Sequence, residues 1–72
     1  MELETLQKII AKILNVDPLE VTMETTFADD LGADSLDLYQ ILVEIEKRQG
    51  VVIDKNLLEQ MQCVQDMLKL TS

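Results

Sequence analysis

Histidine is missing from this chain, and with it the commonest general base and metal ligand of proteins. A hydrolase of the Ser–His type cannot be built from these residues. One cysteine and no histidine also leave no zinc ligand set. The lone Cys63 cannot form an internal disulfide, and its apolar-periodic surroundings predict a small buried hydrophobe rather than a reactive thiol. Tryptophan is absent too, with a single Phe and a single Tyr, so no stacking platform for single-stranded nucleic acid is expected. Two glycines, Gly32 and Gly50, are too few for a phosphate-binding loop or a dinucleotide fingerprint. No run is long and apolar enough for a membrane span, and no signal peptide is visible. The chain reads as soluble and cytoplasmic, with an N-terminus that needs no processing.

Basic residues are also few. Six Lys and Arg stand against 14 Asp and Glu, for a net charge of −8. That repels phosphate backbones and anionic membranes, and it suits basic protein surfaces. It also implies self-repulsion that salt should relieve.

The chain does hold enough apolar matter for a core: 47% of its 72 residues are hydrophobic, mostly Leu, Ile, Val and Met. Its length corresponds to one domain, residues 1–72, of modest stability. Periodicity predicts a first helix over Glu2–Leu14, with Leu3, Leu6, Ile9, Ile10, Ile13 and Leu14 on one face. Pro18 blocks its continuation. A long connection follows to about Ala33, which Val16, Leu19, Val21, Met23, Phe27 and Leu31 are expected to pin. A second long helix runs from Ser35 to about Gln49, ended by Gly50 in a left-handed conformation. Val51-Val52-Ile53 reads as an extended crossing, Asp54 to about Met61 as a short helical turn, and Cys63–Leu70 as a last helix. The fold class is therefore all-α: a small bundle of four helices, three long or medium and one short, with a long loop after the first.

The second helix carries two apolar stripes. Leu38, Ile41, Leu42 and Ile45 form one, and Leu36, Tyr39 and Val43 the other. A bundle this small has one obvious core. The second stripe is either buried as well or left as a docking strip; the polar residues beside it, Asp37, Gln40, Glu46 and Lys47, favour exposure.

At the entrance to that helix lies Asp30-Leu31-Gly32-Ala33-Asp34-Ser35-Leu36-Asp37. Asp34 or Ser35 is a natural N-cap, and Asp37 sits where the helix dipole favours negative charge. Ser35 would stand exposed at the helix mouth. No base accompanies it and no G-x-S-x-G elbow surrounds it, so on the residues alone capping is the simpler role. The acidic loop fails as a calcium site, because the EF-hand spacing places Gly32 and Ser35 at the wrong positions.

The run Leu31–Asp37, centred on Asp34-Ser35-Leu36, resembles the phosphopantetheine-attachment motif of acyl carrier proteins. The resemblance extends over nearly the whole chain. It implies that Ser35 bears a 4′-phosphopantetheine arm from coenzyme A, attached by a separate phosphopantetheinyl transferase that supplies base and magnesium. The implied function is a carrier, not an enzyme. It would hold acyl intermediates as thioesters and deliver them to acyl-transferring and synthase enzymes of fatty-acid or polyketide-type synthesis that have basic docking surfaces. A peptidyl or aminoacyl carrier, or an unmodified acidic helical adaptor, are the alternatives. The recognition face implied by position is Asp34, Leu36, Asp37, Tyr39, Gln40, Val43, Glu46 and Lys47. Gln40, Lys47 and Arg48 depart from the more acidic pattern of the family. A monomer is expected, with no resident metal, no nucleic-acid partner and no membrane insertion.

Overall fold

The computed structural model describes residues 1–71. Three α-helices carry the fold: α1 (Leu3–Leu14), α2 (Ser35–Gln49) and α3 (Val64–Leu70). A 3₁₀ helix over Lys55–Gln60 is the short fourth member, and a further 3₁₀ turn covers Pro18–Glu20. No strand occurs among the described residues, only one antiparallel bridge between Thr26 and Cys63. The fold is all-α.

Helix α1 buries Leu6, Ile9, Ile10 and Ala11 against α2, which presents Leu38, Ile41, Leu42 and Ile45. The apolar periodicity of both segments produces this pairing. Phe27 fills the centre at 1% exposure, with Val21, Ile53, Met61, Val64 and Met67 around it. Helix α1 ends on Asn15 in the left-handed region, φ 57°. Helix α2 ends on Gly50, φ 64°, where no Cβ strain arises.

The long loop is tied down more by hydrogen bonds than by apolar anchors. Gln7 Nε2 donates to Val21 O at 2.6 Å. Thr25 is buried, and its hydroxyl donates to Glu20 O at 3.2 Å while accepting from Thr22 N–H at 2.9 Å. Three backbone bonds join the loop to the approach of α3: Phe27 N to Gln62 O at 3.0 Å, Val64 N to Thr25 O at 2.9 Å, and Gln65 N to Met23 O at 3.0 Å. Val21 and Phe27 are buried as expected, and Val16, Met23 and Leu31 are half-buried. Leu19 is not an anchor. It is 85% exposed, because the Pro18–Glu20 turn buries none of its three side chains. Cys63 is half-buried rather than fully enclosed. It occupies the N-cap position of α3. The Asp66 carboxylate accepts from the Gln62 and Cys63 N–H groups, at 3.2 and 3.3 Å.

Candidate functional site

The approach to α2 is wound before it is delivered. Thr26 O accepts from both Asp30 N and Leu31 N at 3.2 Å, and the Asp30 carboxylate accepts from Thr26 N at 2.8 Å. Ala33 N donates to Phe27 O at 2.8 Å, which draws the buried Ala33 inward. Gly32 makes the reversal at φ 62°. The chain then emerges at Asp34 in extended conformation, and the helix begins at the next residue.

Asp34 is the cap. Its carboxylate accepts from Asp37 N–H at 2.9 Å, and the Asp37 carboxylate accepts from Asp34 N–H at 3.2 Å. This reciprocal pair satisfies two backbone donors at once. Ser35 is therefore the first helical residue rather than the cap, and it is exposed. Its hydroxyl has no hydrogen-bond partner among the described residues. No base stands near to activate it, since histidine is absent and both neighbouring carboxylates serve the backbone.

A cleft of about 440 Å³ opens beside Ser35. Phe27, Ala33, Leu38, Leu58 and Met61 make its walls apolar, and Asp29 and Glu59 lie among its polar lining residues. Leu58 and Met61 come from the Lys55–Gln60 helix and the residue after it. They are remote in sequence from the Ser35 motif, and no local pattern marks them as its neighbours.

A family profile described as "Phosphopantetheine attachment site" matches residues 4–71. This chain belongs to the acyl carrier, phosphopantetheine-attachment family. Among similar proteins are acyl carrier proteins from Helicobacter pylori (strain ATCC 700392 / 26695) and Thermosynechococcus vestitus. Each is 42% identical over 66 residues, covering 92% of this chain and 85% and 82% of the relatives respectively. The acyl carrier protein of Helicobacter acinonychis is 39% identical over the same length. Membership of the family makes the chain a carrier rather than an enzyme, with phosphopantetheine as its cofactor and synthase and transferase enzymes as its partners.

The residues at the mouth of α2 fit the phosphopantetheine group. Ser35 offers an unhindered alcohol, and the apolar cleft begins at the same residue. The amides at a helix N-terminus favour an anion. Asp34 and Asp37 oppose that effect with two full negative charges against about half a positive charge of the helix dipole. The site therefore gives a phosphodiester no deep anion cradle.

The remaining residues of the recognition face expected from the sequence fall into two sets. Leu36 is 72% exposed and Tyr39 is 47% exposed, with Gln40 and Lys47 exposed and Val43 half-buried beside them. The second apolar stripe is thus open at its Ser35 end. Glu46 differs: its Oε2 accepts from Lys55 Nζ at 2.7 Å and from Ile53 N–H at 2.7 Å. The bonded Lys55 ammonium, then the Ile53 amide, hold its carboxyl below the ordinary 4.5. Lys55 also donates to Ile53 O at 2.9 Å and lies 5.8 Å from the Tyr39 ring centroid. This three-part contact was not foreseen from the sequence. No helix of the described residues is long and apolar enough to cross a membrane.

Proposed function

We propose that Ser35 Oγ is the attachment point of the 4′-phosphopantetheine arm, and that the chain delivers acyl thioesters to enzymes of fatty-acid or polyketide-type synthesis. One observation carries the reading. The exposed Ser35 hydroxyl is unengaged at the start of α2 because Asp34 fills the capping role. In the loading step Ser35 Oγ attacks the pantetheine-side phosphorus of coenzyme A. The Oγ–P bond forms, the phosphoanhydride breaks, adenosine 3′,5′-bisphosphate leaves, and the serine proton passes to a base of the transferase. The arm, once bound, supplies a thiol for thioester chemistry. The protein itself contributes address, mobility and the apolar cleft beside Ser35.

The apolar walls of that cleft suit a hydrocarbon chain, which supports acyl cargo. The relatives carry the name acyl carrier protein, in line with the same reading. A net charge of −8 suits partners with basic docking surfaces around their active-site entrances, a phosphopantetheinyl transferase among them. The chain works as a cytoplasmic monomer in this reading.

The test is an intact-mass measurement after incubation with coenzyme A, magnesium and a broad-specificity phosphopantetheinyl transferase. A gain of one phosphopantetheine that disappears in Ser35→Ala is the expected result. No gain, or a gain that survives the substitution, rejects the attachment point and leaves the acidic adaptor as the function.

A further inference from the structure

The outer face of α2 changes sign along its length. Asp34 and Asp37 stand at its N-terminal end, beside Ser35. Leu36, Gln40, Val43 and Lys47 follow one another at steps of four, three and four residues. That spacing aligns them in one row, on the side away from buried Leu38, Ile41, Leu42 and Ile45.

The middle of the row is uncharged. Tyr39, Gln40, Val43 and Glu44, with Ile13 of α1, line a shallow groove of about 340 Å³ that reaches Lys47, and the Glu44 carboxylate there is paired with Arg48. Lys47 is exposed and has no ion-pair partner among the described residues. The other charges nearby are already matched. Arg48 Nε lies 3.3 Å from Glu44 Oε1, and Lys55 Nζ lies 2.7 Å from Glu46 Oε2. The outer surface of α2 therefore carries two carboxylates at its N-terminal end, with Asp37 about 80° round the helix from Lys47, then an uncharged stretch of the row and one unpaired ammonium at Lys47. Asp37 and Lys47 are separated by about 15 Å of helix.

The geometry points to a bipolar docking face. Its partner is a protein surface with basic residues against Asp34 and Asp37, an apolar side chain over the groove, and an acidic residue about 15 Å farther on, against Lys47. This inference rests on the reading of α2 as the face through which a carrier with its arm on Ser35 meets its enzymes. A partner basic along its whole length gains at the Ser35 end and loses at Lys47. The net charge of −8 alone gives the opposite expectation, that the most basic partner wins. Glu46 adds no recognition charge, because its carboxylate is held by Lys55 and Ile53.

The probe is a pair of helical peptides of equal length and identical Leu-rich face. One carries Lys at both ends. The other carries Lys at one end and Glu at the other, with the clusters about 15 Å apart. Each is titrated into isotope-labelled protein at low ionic strength, with amide shifts as the readout, on both the unmodified chain and the product of coenzyme A loading. The Lys/Glu peptide is expected to shift Leu36, Tyr39, Val43 and Lys47. It should bind about two- to five-fold more tightly than the Lys/Lys peptide, as one exposed ion pair gained and one repulsion avoided imply. Lys47→Glu, at an exposed and unpaired position, should reverse that order. Equal or tighter binding of the Lys/Lys peptide to the wild type overturns the inference. So does an order unchanged by Lys47→Glu, or an absence of shifts on α2 with both peptides. The mass gain at Ser35 is read separately, so failure of the docking face and failure of the attachment point give different results.

Discussion

Asp34 and Ser35 are both suited to cap a helix, and the chain gives the task to the aspartate. A carboxylate accepts the Asp37 N–H in a charge-assisted bond, and it sits favourably at the positive end of the helix. The sequence placed the helix start to within one residue but left the cap undecided, because the two side chains have similar reach. Their difference matters for function: had Ser35 been the cap, its hydroxyl would be engaged and tucked against the first turn. Replacing Asp34 by Ala is expected to lower stability by about 1 kcal/mol, and Asp34→Ser should restore most of it. Urea denaturation of the two variants checks this. Leu19 was misread at the same scale. Apolar character alone could not reveal that its short turn points outward.

The helices were legible because each buries one stripe of a 3.6-residue pattern, and their ends are marked by Pro18, Gly50 and the Asp34–Asp37 pair. What joins the elements was less legible. The contact of Glu46 with Lys55 spans nine residues across the Val51–Ile53 crossing, and no local rule requires it. The cleft at Ser35 has the same origin, since Leu58 and Met61 arrive from a later element. The Glu46 contact has a pH signature. The carboxyl is lowered below 4.5 by Lys55 first and then by the Ile53 amide. A lowered acid contributes stability that is complete above its unfolded value and is lost as pH falls through its folded value. The Asp66 carboxyl, lowered by the Cys63 and Gln62 amides, acts in the same direction from 3.8 downward. Glu46→Gln is therefore expected to lose less stability than the wild type between about pH 5 and pH 3, with the two curves converging at the acid end. Urea midpoints measured across that range provide the check.

At the scale of the whole molecule, charge opposes compactness. A net −8 on 72 residues repels itself, and few basic groups are free to offset it. Added salt is expected to raise the melting temperature from low to moderate ionic strength, and a flat or falling trend in a thermal scan would contradict this. Repulsion also relaxes as pH approaches the isoelectric point near 4.1, which works against the loss at Glu46. For that reason the difference between wild type and Glu46→Gln isolates the contact, while either curve alone does not. The charge balance was fully legible from composition. Its arrangement along α2 was not, because which charges are matched depends on the packing of Lys55 and Arg48.

The position of Tyr39 gives the protein an optical property. It is the sole phenol, no indole is present to mask it, and its ring stands half-exposed beneath the Lys55 ammonium. Its emission is thus a native signal from the second turn of α2. A protein partner without tryptophan or tyrosine at the contact would quench or shift that signal as it covers the ring, with no label attached. Release of Lys55 would change the same emission by removing the cation from the ring face.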